Sequence, residues 1–181
     1  MTILSAEAVN WTHQRDGASA ASMSSRRLMM RMLEPAEIPM VVDILSNLGR
    51  MAKFWPEPKS KADIAQWLND RSCWTFRRID NGSLIVVGTT EQDGSGGYVV
   101  HGFSAERGNH ELSLEAIRLG EAVCFERFGV HRLTASTTTD NLGAVRLLEA
   151  AEWKLEGRLR QAARIGADFR DVLVYAKLKG E

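Results

Sequence analysis

The chain has 181 residues, of which 44% are apolar and 25% charged, the make-up of one globular domain with room for a sizeable core. Twenty-three basic side chains balance twenty-three acidic ones. No general attraction to nucleic acid or anionic membrane is therefore expected, and Arg26-Arg27, Arg77-Arg78 and Arg158 with Arg160 read as solvated charges. No run of about 18 apolar residues is present to cross a membrane as a helix. Cys73 and Cys124 belong to no C-x-x-C pair and read as buried, reduced thiols of a cytoplasmic protein. His13, His101, His110 and His131 lack metal-ligand spacing, so no metal is expected.

Residues 1–24 are polar, small and rich in Ser and Ala, without the apolar core of a secretory signal. They read as an N-terminal arm, with residues 25–181 as a single domain. Arg26 to Leu33 reads as a strand. Glu34-Pro35 opens a helix to about Leu48, with Ile38, Val41, Val42 and Leu45 at helical spacing. Phe54-Trp55-Pro56-Glu57-Pro58 is a rigid connection, after which Ser60 caps a helix carrying Ile64, Trp67 and Leu68. Cys73 to Ile79 and Ser83 to Thr90 read as a hairpin around Asn81-Gly82. A turn over 92–97 leads to a strand from Tyr98 to Ser104. Leu112 to Phe128 is the longest helix, ended by Gly129. A strand over 131–138, a helix over 141–151 and strands over 153–160 and 171–178 complete the chain. The order β-α-α-β-β-β-α-β-α-β-β predicts an α/β (α+β) domain, a mixed sheet flanked by helices, without internal repeats.

The stretch V-H-R-L-T-A-S-T-T-T-D-N-L-G-A-V-R-L-L-E-A-A-E-W-K-L-E-G-R-L-R, from Val130 to Arg160, resembles the C-terminal half of the Gcn5-related N-acetyltransferases (GNAT), in particular their ribosomal-protein branch. The order of elements extends the resemblance over about residues 26 to 178. The Trp55-Pro56 connection and the pairing of Glu156-Gly157 with Asp171 and Tyr175 also look like that branch. The resemblance implies a single-domain acyl-CoA N-acyltransferase fold with a mostly antiparallel sheet. It implies acetyl-CoA (coenzyme A) as co-substrate and transfer of an acetyl group to a primary amine, either a protein N-terminal α-amine or a small amine.

Such transfer requires a held thioester, a polarised carbonyl oxygen and a neutral amine. By resemblance, the pantetheine arm lies between Tyr98–Ser104 and His131–Thr138, with backbone contacts at Gly102, Phe103 and Ser104 and one N–H as oxyanion donor. The pyrophosphate is expected on the N-terminus of the long helix, at Arg107, Gly108, Asn109 and His110. Asn141 matches the family asparagine that touches the cofactor, and Asp140 or Asn141 also reads as a helix cap.

The chain departs from the pattern in four places. Side chains stand where the phosphate loop usually has its later glycines, and Glu111 brings a carboxylate to that helix start. Ala144 replaces a serine, Leu148 stands where many relatives carry the tyrosine that protonates the thiolate, and Glu152-Trp153 replaces Gly-Phe. The alternative reading is therefore a GNAT-fold protein without catalysis, acting as a binding or assembly module. Because a base matters less for an amine already partly neutral at pH 7, an α-amine of pKa about 7.7–8.0 suits the chain better than a lysine near 10.4. Glu91 and His101 are the candidate bases, and Trp55 and Trp74 the candidate walls of the acceptor site. An exposed sheet edge or the arm is a candidate for building a homodimer.

Overall fold

A computed structural model describes residues 23–46, 60–105 and 108–181. Within them lie β1 (Met23–Ser24), β2 (Leu28–Met32), α1 (Ile38–Ser46), α2 (Lys61–Asn69), β3 (Ser72–Arg78), β4 (Leu84–Gln92) and β5 (Tyr98–Ser104). They are followed by α3 (His110–Ala122), β6 (Arg132–Thr138), α4 (Leu142–Ala150), β7 (Lys154–Ile165) and β8 (Asp168–Leu178). The strands form one eight-stranded sheet in the order β1-β2-β3-β4-β5-β6-β8-β7. Every neighbouring pair is antiparallel except β5 and β6, which run parallel.

Local chemistry accounts for several boundaries. The Ser60 hydroxyl accepts the Asp63 N–H at 3.1 Å while the Asp63 carboxylate accepts the Ser60 N–H at 2.9 Å, a reciprocal cap that starts α2. Pro35 opens a short 3₁₀ turn ahead of α1, and Glu37 within it is clamped by Arg31 at 2.8 Å and Arg77 at 2.6 Å. Gly82 and Gly129 take the left-handed conformations (φ 72° and 67°) that their turns require.

Alternation along the strands sends successive side chains to opposite faces. Leu28, Met30, Trp74, Phe76 and Val86 pack under Leu112, Ala116 and Leu119 of α3. Cys73, Val87 and Phe103 point the other way, beneath Val41, Val42 and Leu45 of α1 and Ile64 and Leu68 of α2. A third cluster joins Leu133, Ala135 and Tyr175 to Leu148, Ala151 and Trp153. Each buried Val, Leu, Phe or Met among them contributes about 1.5–3 kcal/mol. Both cysteines are buried, and burial pushes the Cys124 thiol up to about 12, so it stays protonated at neutral pH.

Some elements differ from the sequence reading. Met23 and Ser24, the last residues of the expected arm, pair with Met30 and Met29. The long helix starts at His110 rather than Leu112, and its last turn, Val123–Arg127, widens to a π-helical one. The strands expected over 153–160 and 171–178 extend into one long hairpin that turns at Gly166 (φ 63°). Within it Gln161 (φ 52°) forms a bulge that Asp171 pins by accepting the Gln161 N–H at 2.8 Å. Asp171 also binds Arg158, whereas Glu156 pairs with Arg132, and it is Val174 that stands opposite Gly157.

Candidate active site

The parallel contact between β5 and β6 is short. It covers Tyr98 with Leu133 and Val99 with Thr134, and then the strands part. β5 stays paired to β4 as far as Ser104, and β6 to β8 as far as Thr138. The sheet therefore splits into an opening between residues 100–104 and 135–138.

Strand alternation shows which backbone groups face it. The Ala105 N–H donates to the Ile85 carbonyl at 2.7 Å, so odd-numbered amides of β5 point to β4. Those of Gly102 and Ser104 point into the opening. On the other wall the Thr139 N–H donates to the Asp171 carbonyl at 3.0 Å, which directs the backbone of Ser136 and Thr138 inward. Phe103 differs from the sequence expectation here: its amide faces β4 and its side chain is buried against α2. Gly102 stands directly opposite Gly88 on β4; the Phe76 ring covers Gly88, where a Cβ would come within 3.2 Å of it, whereas a Cβ at Gly102 meets nothing within 4 Å.

The first turn of α3 lies just beyond β5. Gly108 takes φ 87°, Asn109 holds the N-cap position and His110 begins the helix. The Asn109 side chain does not cap it; its carbonyl accepts the Ser113 N–H at 2.9 Å. The amides of His110, Glu111 and Leu112 precede the first intrahelical donor, Ser113, and carry the positive end of the helix dipole. The Ser113 hydroxyl meets that of Ser104 at 3.2 Å, tying this turn to the strand. Glu111 is turned toward β2, where Arg27 holds it at 3.3 Å and Glu115 at 2.7 Å. The carboxylate expected to oppose phosphate is thus engaged elsewhere.

On the opposite face, beside α2, Glu91 and His101 come together. His101 Nε2 lies 3.7 Å from Glu91 Oε1, and Arg71 Nε donates to Glu91 Oε2 at 3.0 Å. The guanidinium sits 4.8 Å from the centre of the Trp67 ring, which meets His101 edge-on at 6.2 Å. Burial is the main cause that lowers the His101 pKa; Glu91 acts against it and Arg71 with it. A neutral imidazole beside the opening can accept a proton.

Other expected site residues fall elsewhere. Trp74 is buried under α3 and packs against Phe128, so it serves the core rather than an acceptor wall, because its place in β3 sends it to the α3 face. Asn141 occupies the N-cap of α4, but its side chain donates to the Thr137 hydroxyl at 3.1 Å instead of capping; Asp140 lies 3.8 Å from Arg170. Leu148 is core. Trp55 and Arg107 lie outside the described residues. Trp67, read from the sequence only as a helix residue, and Arg71, not singled out there, complete the cluster; an aromatic residue four positions before an arginine at a helix end is the signal that could have found them. Among the described residues no cluster of His, Cys, Asp and Glu could hold a metal, and no helix is long and apolar enough to cross a membrane.

A mixed sheet split between two parallel strands, with a helix N-terminus at the split, defines an acyltransferase fold. Residues 27–154 match the acetyltransferase (GNAT) domain, and the chain belongs to the GNAT acetyltransferase family. Solved structures agree in fold. A GNAT-family acetyltransferase from Bacillus anthracis is 19% identical, with TM-score 0.78 over 89% of this chain and 100% of that one. A ribosomal-protein-S5-alanine acetyltransferase from Vibrio fischeri is 15% identical, with TM-score 0.71 over 89% and 98%. A ribosomal L7/L12 α-N-protein acetyltransferase in complex with coenzyme A is 14% identical, with TM-score 0.75 over 87% and 98%. No curated protein sequence matches the chain.

Proposed function

We propose that the protein is an acetyl-CoA-dependent N-acetyltransferase whose acceptor is a primary amine of modest pKa, a protein N-terminal α-amine or a small amine. The observation that carries this reading is the opening between β5 and β6, into which the amides of Gly102 and Ser104 are directed. One of the structural neighbours holds coenzyme A, and two are named for ribosomal-protein substrates.

The residues fit the co-substrate. A pantetheine arm is a chain of amides, and the inward backbone of Gly102, Ser104, Ser136 and Thr138 offers the matching donors and acceptors. The open space over Gly102 leaves room for it. The amides of His110, Glu111 and Leu112 suit a pyrophosphate, and Gly108 lets it approach the backbone. Acetyl-CoA supplies an activated acyl group whose thiolate, of pKa near 8.5, leaves without full protonation. In this reading the Gly102 N–H polarises the acyl oxygen, and the neutral His101 imidazole takes the proton of the attacking amine on the ring nitrogen that does not face the Glu91 carboxylate.

The test is isothermal calorimetry with acetyl-CoA, followed by mass spectrometry of peptides with free N-termini incubated with both. Saturable binding and a gain of one acetyl group on the α-amine are expected. Absence of binding at millimolar acetyl-CoA would sink the reading. Leu148, buried where a general acid is expected by resemblance, favours a second reading: a non-catalytic binding module. Binding without turnover on any amine would select that one.

A further inference from the structure

The cluster beside α2 contains a cation in the seat that an ammonium group would seek. An aromatic face and a carboxylate together attract alkylammonium ions. Here the face of Trp67 and one oxygen of Glu91 are both taken by Arg71, at 4.8 Å and 3.0 Å. Arg71 Nη1 also donates to the Trp67 carbonyl at 3.5 Å. The other Glu91 oxygen is 3.7 Å from His101 Nε2, a stretched contact that still favours the charged ring. Trp67 is itself fixed edge-on against Phe103 at 5.8 Å. The charged groups facing His101 are Glu91 from β4 and Arg71 from the junction of α2 and β3; α2 adds only the indole.

We infer that Arg71 is a positioning and specificity-determining residue: it fills the cation seat and restrains Glu91, so that the imidazole of His101 stays a proton acceptor and a charged amine is turned away. An α-amine near pKa 8 is partly neutral at pH 7 and is admitted; an alkylamine near 10.4 arrives as a cation and meets a guanidinium. This inference rests on the proposed acetyl transfer, and it deepens it by naming the amine class.

The geometry can be tested without turnover. NMR titration of the His101 imidazole in the intact protein reports its midpoint directly. Arg71→Met keeps the stem on Trp67 and removes the charge, so the midpoint is expected to rise by about one pH unit as Glu91 turns to the ring. Arg71→Lys restores most of the wild-type value. Glu91→Gln lowers the midpoint, an independent check should Arg71→Met not fold. In the acetylation of an alanine-initiated peptide, the acid limb of kcat/KM moves alkaline by the same amount in Arg71→Met, and the ratio of alkylamine to α-amine turnover rises several-fold. An unchanged midpoint in folded Arg71→Met, or a raised one in Glu91→Gln, overturns the positioning role. An unchanged ratio of amines overturns the specificity role. A wild-type protein that acetylates no amine overturns the proposed function and with it the amine specificity, whereas the midpoints still decide the positioning.

Discussion

Replacing Gly102 by valine separates the fold from the opening. The residue lies mid-strand, where glycine costs roughly 0.5–1 kcal/mol relative to alanine and a β-branched side chain is favoured. A Cβ there meets nothing within 4 Å, so the branch point itself meets no obstacle. The unliganded variant should be as stable as the wild type or up to about 1 kcal/mol more so, moving Tm upward by no more than about 2–4 °C at this chain length. The two methyl groups stand in the open space over Gly102, at the residue whose amide faces β6. Wild-type protein with acetyl-CoA at about a hundred times its Kd gains about 2.7 kcal/mol, a rise in Tm of roughly 5–10 °C. In the variant that rise should vanish. The assay is a pair of thermal melts, with and without acetyl-CoA, repeated by calorimetric titration. A full ligand shift in Gly102→Val would show that the space over Gly102 is not the cofactor wall. A fall of several degrees in the unliganded melt would show that the space is not open.

Lys177 is 5% exposed, and its ammonium donates to the Ala151 and Glu152 carbonyls at 3.2 and 3.4 Å, at the end of α4. Lys177→Met should cost about 2 kcal/mol and lower Tm by roughly 4–8 °C in a melt; an unchanged Tm would deny the cap any weight. Burial raises the carboxyl pKa of Glu121 above its ordinary 4.5, against the Trp153 N–H and the Lys177 charge. Its contribution to stability is complete below that ordinary value and is lost as pH rises through the raised one. Wild-type urea midpoints should therefore decline across that window relative to Glu121→Gln, and parallel pH curves would contradict the assignment. Glu111 is 86% exposed at the side chain and turned to Arg27. Glu111→Gln should change stability by less than about 1 kcal/mol and coenzyme A affinity by less than about fivefold. A tighter binding of a hundredfold would mean that the carboxylate does oppose the phosphates.

The elements that could be read without the structure are those whose causes are local. Ser60 and Asp63 lie within one turn, Asn81-Gly82 within one hairpin, and the apolar spacing of Val41, Val42 and Leu45 within one helix. The same holds for the β5 and β6 segments. The long hairpin was less legible, because residues 161–170 show no regular alternation and are ordered by Asp171 gripping a bulge ten residues away. The π-helical turn at Val123–Arg127 likewise lacks a local signature.

The site divides in the same way. Gly102, Ser104, Gly108 and Asn109 could be named from the family pattern because backbone amides at a strand and a helix start depend little on side chains. His101 and Glu91 could be named singly, but their meeting depends on pairing between β4 and β5, and their partners Trp67 and Arg71 come from another element. Trp74 reads as core or as wall until the register of β3 sends it beneath α3. Sequence alone determined the order of elements, the turns and the apolar faces, since these follow from interactions a few residues apart. The tertiary structure decided where the sheet splits, which way Glu111 turns and which cation sits on Trp67, since each depends on groups brought together from distant parts of the chain.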